Sequence, residues 1–132
     1  IRDQDWPGMA EQCKSEGCNI IAFIVLHNTR GKQAMPYVIQ TVDNPERSHL
    51  RTEVRDEHVA WLKDNVSKLL AGGALLADDG GPGSGGLLIV DTEDRAEAEA
   101  FIAEDPFTRA GLFQDVMISR WRMGFFNKEA LI

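Results

Sequence analysis

Arg51, Arg55, His58 and Leu62 in "RTEVRDEHVAWL" are spaced four, three and four residues apart. On a helix this spacing lines them along one stripe, with the imidazole at the seam between an arginine edge and an apolar face. Two guanidinium groups nearby disfavour a second positive charge, unless a carboxylate offsets them. A neutral imidazole at the edge of a pocket is a general base. Asp105, in "EDPFT", is the obvious partner: a carboxylate that accepts from the far ring nitrogen fixes the tautomer and steadies the imidazolium formed during proton transfer. Each residue also has a plainer reading. Spacing alone favours a histidine satisfied by a backbone carbonyl and arginines paired with surface acids, and an Asp before Pro is a good helix N-cap. For Asp105 the two roles can coexist.

The other candidates are weaker. Asp43 ends the first strand and could reach the same pocket, although an Asp before "NP" also starts turns. Ser84 lies in a glycine-rich loop without the Gly-x-Ser-x-Gly elbow of a serine hydrolase. That loop, "GGPGSGG", lacks the Lys-Ser/Thr of a phosphate cradle and opens into a strand, which leaves substrate gating or simple turn chemistry. Cys13 and Cys18 have no second cysteine pair and no histidine at ligand spacing, so they read as ordinary thiols. No metal site is expected, and His27 and His49 have no nameable partner.

These residues must be held by a small set of elements. "YVIQTVD" (37–43) is β-branched and strand-like. Leu50, Val54, Trp61, Leu62, Val66, Leu69 and Leu70 recur at helical spacing until Gly72-Gly73, which predicts one long amphipathic helix. "ALLAD" (74–78) and "GLLIVDT" (86–92) read as a hairpin around the glycine-rich loop. Thr92 is placed to cap a second helix whose inner face is Ala98, Phe101 and Ile102. A short helical turn follows, with Asp105 as N-cap, Pro106 at the first position and Gly111 at the end, before a last strand at 112–121.

The order strand, helix, strand, strand, helix, strand is the split βαβ of an α+β, ferredoxin-like domain: a four-stranded antiparallel sheet with two helices on one face. The other face, expected to carry Tyr37 with Leu, Val and Trp side chains, would be covered by a homodimer packed sheet face against sheet face. Residues 1–34 look like an extension of unknown role, "IIAFIVL" within them being a possible extra strand, with residues 35–123 as the domain and 124–132 as a tail. The extension holds four basic and four acidic side chains, so residues 35–132 carry the whole net charge of −7.

That charge repels the phosphate backbone and argues against nucleic-acid binding. The longest apolar run is strand length, far below the 18 or so residues of a membrane span, and with no small-residue cleavage site after it that run is not a convincing signal peptide. A cytoplasmic protein without membrane contact is the expectation. The composition, 43% apolar and 27% charged, is that of an ordinary globular domain.

Taken together, the strand ending "VDNP", then "LRTEVRDEHVAWL", "GGALLADDG", the stretch through "EDPFTRAGLF", and "VMISRW" resemble the YCII-related domain over about Met35 to Trp121. The most specific signatures are Arg-x-x-His on the helix and "DPF…AGLF". The resemblance implies a ferredoxin-like fold assembled as a dimeric α+β barrel, with a cleft holding an acid/base pair. Carried over, that pair is His58 and Asp105, with Arg55 and Ser84 as cleft neighbours, and no metal or organic cofactor is implied. The family is linked to degradation of chlorinated aromatics through dehydrochlorination of a chlorinated hydroxyquinol, and related barrels include muconolactone isomerases. The expectation is therefore a cofactor-independent lyase or isomerase acting on a small anionic or phenolic ring. His58 would move the proton, Asp105 orient it, and Arg51 or Arg55 attract the anion. The alternative is a non-catalytic small-molecule-binding or dimerisation module.

Overall fold

The computed structural model describes residues 35–132. The extension, with its proposed extra strand, both cysteines and His27, lies outside the described residues. One compact unit spans Pro36–Trp121. Residues 122–132 fall outside that unit and carry a small hairpin, Phe125–Phe126 paired with Glu129–Ala130. Its turn uses Asn127 and Lys128 at φ of 53° and 69°, the positive values that two-residue hairpin turns require.

The main unit is an α+β, ferredoxin-like domain. In chain order it contains β1 (Tyr37–Asp43), α1 (Leu50–Glu53), α2 (Arg55–Asp64), β2 (Leu69–Leu75), β3 (Gly85–Val90), α3 (Arg95–Ala103), α4 (Pro106–Ala110) and β4 (Phe113–Arg120). The sheet order is β2-β3-β1-β4, with every neighbouring pair antiparallel. β1 and β2 therefore run parallel with β3 between them, which is what splits the βαβ unit.

Period-two alternation sends Tyr37, Ile39, Thr41 and Asp43 of β1 under the helices, all buried, while Val38, Gln40 and Val42 face the other way. Register adds Leu88 and Val90 to the inner face. Against them pack Ala98, Phe101 and Ile102, the face that helical spacing predicts for α3. Trp61 of α2 reaches the same core and lies 4.7 Å from the Phe101 ring. Each large apolar side chain so buried contributes about 1.5–3 kcal/mol, and the summed contact fixes α2 and α3 on the sheet.

The expected long helix is shorter and broken. Val54, at φ −103° and ψ 2°, separates α1 from α2. Asn65 then ends α2, its side-chain amide donating at 2.8 Å to the Trp61 carbonyl, which also accepts the Asn65 backbone N–H. Val66–Lys68 form one 3-10 turn, and Leu69 and Leu70 begin β2. Gly72 and Gly73 are thus strand residues, paired with Leu88 and Leu87, not a helix stop. A Cβ at Gly72 would stand 2.7 Å from the Leu88 methyl, so glycine makes room for a core side chain. The hairpin sits earlier than expected for the same reason.

Two further expectations change. Asp94, not Thr92, caps α3, accepting from the Ala96 N–H at 2.9 Å; Thr92 instead accepts from the Asp94 N–H and donates to Glu97. Tyr37 belongs to the helix-covered core, not to the open sheet face, and among the described residues no tryptophan lies on a strand. The open face carries Val38, Gln40, Leu87, Ile89 and Met117, of which Gln40, Leu87 and Met117 are exposed. Among the described residues no helix is long and apolar enough to cross a membrane.

Candidate active site

The site is assembled where the C-terminal end of β1 meets α1, α2 and the start of α4. Asp105 N-caps α4: its Oδ1 accepts from the Phe107 N–H at 2.9 Å, Pro106 takes the first helical position, and Gly111 ends the helix at φ 82°. The same Oδ1 lies 2.8 Å from His58 Nδ1, which α2 presents one turn after Val54. Asp105 is 1% exposed and the His58 side chain 17%. Capping and histidine orientation therefore coexist on one oxygen.

A carboxylate only accepts, so Nδ1 carries the proton and the neutral ring presents Nε2 as its acceptor. Nε2 has no hydrogen-bond partner among the described residues. The imidazole stacks on the Phe107 ring, centroids 4.1 Å apart and planes 20° apart, so Phe107 fixes the ring by its π-face and the carboxylate by its backbone.

Asp43 and Arg51 form a second pair. The Arg51 guanidinium donates from Nε to Oδ2 at 2.6 Å and from Nη2 to Oδ1 at 2.8 Å, a bidentate fork on a carboxylate that is 5% exposed. Its Cζ lies 4.9 Å from the Phe107 centroid. Arg51 lines the cleft with its charge already matched. Arg55, exposed on the first turn of α2, lines the same cleft and has no carboxylate partner among the described residues. It is the arginine with charge to offer an anion.

The cleft has a volume of about 370 Å³, the size of a small-molecule site. His58 and Asp105 stand on one wall. The floor is made of small strand residues, Gly72, Ala74 and Gly86, and Leu76 and Phe113 add apolar surface.

Of the sequence candidates, the structure brings His58, Asp105, Arg51 and Arg55 together on the cleft and sets Asp43 behind Arg51. It does not bring in Ser84, which is exposed on the hairpin loop, away from the cleft wall; its carbonyl accepts the Asp43 N–H at 2.7 Å. His49 also lies off the cleft, before α1. Sequence reasoning missed Phe107 and Thr41. Phe107 was in plain view inside "DPF", and Thr41 shares the inward register of Asp43 two residues later. Among the described residues no group of three or more His, Cys, Asp or Glu could hold a metal ion.

The geometry defines a class of small ferredoxin-like α+β domains in which a buried aspartate orients a histidine at a cleft. Within that class the chain belongs to the YCII-related domain family, whose model matches residues 35–122. It is 32% identical over 98 residues to an uncharacterized protein of Haemophilus influenzae, and 30% identical over 98 residues to the protein YciI of Escherichia coli. Each match covers 69% of this chain and the whole of the relative. Among solved structures it resembles the 5-chloro-2-hydroxyhydroquinone dehydrochlorinase of Burkholderia phenoliruptrix in complex with 2,5-dihydroxybenzoquinone. That match has a TM-score of 0.61 and 32% identity, covering 67% of this chain and 94% of the other.

Proposed function

We propose that the cleft is the active site of a cofactor-independent acid/base enzyme of lyase or isomerase type. Its substrate is a small oxygenated ring, such as a chlorinated hydroxyquinol undergoing dehydrochlorination. The observation that carries this is the His58–Asp105 contact at 2.8 Å with Nε2 left unpartnered in a cleft. An imidazole whose tautomer is held by a buried carboxylate is built to take a proton at Nε2 and return it. The solved dehydrochlorinase structure supports the choice of ring chemistry.

For a chlorinated hydroxyquinol the step balances without an external oxidant. A ring hydroxyl gives its proton to His58 Nε2 and the ring closes to a carbonyl as the chlorine-bearing carbon gains a proton. Chloride then departs with the C–Cl electron pair as a second hydroxyl loses its proton. The products are a hydroxyquinone, chloride and a proton. Asp105 stabilises the transient imidazolium, and Arg55 attracts the phenolate or the leaving halide. Two copies packing through the open sheet face complete the proposed assembly, since exposed Leu87 and Met117 lie there with no helix of the unit over them.

The test is anaerobic turnover of 5-chloro-2-hydroxyhydroquinone by the wild-type protein. The expected result is one chloride per hydroxyquinone formed, with no added cofactor. A protein that binds such rings but releases no chloride across a panel of halogenated hydroquinols would refute the lyase reading in favour of a binding module.

A further inference from the structure

The two buried carboxylates beside the cleft have partners: Asp43 has Arg51, and Asp105 has both His58 and the Phe107 N–H. Thr41 does not. It lies on the inner register of β1 between Ile39 and Asp43, is 3% exposed, and lines the cleft. Its backbone belongs to the sheet ladder, opposite Gly86 and Val116. Its hydroxyl makes no hydrogen bond among the described residues. A buried hydroxyl left unmet costs about 1–3 kcal/mol, and valine would fill the same shape in a strand without that cost.

The neighbour across the ladder keeps this hydroxyl open. A Cβ at Gly86 would sit 3.4 Å from Thr41 Oγ1 and 3.3 Å from the Gly73 carbonyl. Any side chain there would begin to cover Oγ1 from the cleft side. Glycine on one strand and an unpartnered threonine on the next thus expose one polar point in an otherwise apolar floor.

We propose that Thr41 is a substrate-recognition residue whose hydroxyl binds an oxygen substituent of the ring, at a point on the floor separate from His58. The inference rests on the cleft being a ring-binding site. A hydroxyl donates and accepts, so the same group serves a phenolic hydroxyl before reaction and a quinone carbonyl after it. Rings lacking that oxygen are rejected because Thr41 then stays unmet.

The experiment compares wild type, Thr41→Val and Gly86→Ala, using 2,5-dihydroxybenzoquinone as the probe by calorimetry and thermal unfolding of the unliganded proteins. Thr41→Val is expected to weaken probe binding about tenfold, the loss of one hydrogen bond to a buried partner, while leaving the unfolding midpoint equal or higher. Gly86→Ala is expected to weaken binding in the same direction by covering Oγ1. Wild-type binding unaltered by Thr41→Val, with a lowered midpoint, would make the hydroxyl structural and overturn this inference alone. Failure of the wild type to bind the probe at all would overturn the ring-site reading and this inference with it.

Discussion

Asp105 performs two jobs through one oxygen, and two substitutions separate them. Asp105→Ala removes the N-cap of α4 and the acceptor of His58 together. A lost cap costs about 1 kcal/mol, and a lost hydrogen bond to a charged, buried group about 1.5–3 kcal/mol. The expected destabilisation is therefore about 2.5–4 kcal/mol. Asp105→Asn keeps a side-chain oxygen that can cap Phe107 N–H, because Asn caps helices as well as Asp does. What it loses is the negative charge that stabilises an imidazolium, and with it the certainty of tautomer, because the amide can also donate to Nδ1. Stability should then fall by only about 1 kcal/mol, whereas kcat/KM should fall by about 100-fold or more. Urea unfolding measures the first and chloride release the second, with nitrogen-15 NMR of His58 reporting the tautomer. Asp105→Asn that unfolds as readily as Asp105→Ala but turns over normally would refute the division of roles.

The Asp43–Arg51 pair predicts a strong coupling. Arg51→Met leaves a buried carboxylate uncompensated and should cost about 3–5 kcal/mol, most of which the double substitution Asp43→Asn/Arg51→Met should restore in a urea double-mutant cycle; additive losses would contradict the pairing. Leu87→Glu on the open sheet face should convert a homodimer to monomer by light scattering with unchanged circular dichroism, and a wild type that is already monomeric would remove the proposed assembly.

Element order and the chemistry of the site were legible at different levels. β1, α3 and the Asp105-Pro106 cap of α4 followed from local signals, alternation, helical spacing and capping, and those signals agree with the tertiary structure. The end of α2 did not. Leu69 and Leu70 continue the helical spacing of Leu62 and Val66, but pairing β2 with β3 claims them, and no local propensity reports the strand partner. Tyr37 was misplaced because alternation fixes which residues share a face and not which face the helices cover. His58 and Asp105 were legible as residue types and only the fold brings them within 2.8 Å across 47 positions. Arg51 and Arg55 looked equivalent by spacing; burial of Asp43 beside one of them makes them different.

The central claim is that His58 Nε2 moves the proton. It is tested most directly by kcat/KM for chloride release from 5-chloro-2-hydroxyhydroquinone with His58→Gln, which removes the base while keeping a side chain able to donate to Asp105. The account predicts a folded protein whose rate falls at least about 100-fold below wild type. A folded His58→Gln protein turning over at the wild-type rate would contradict it.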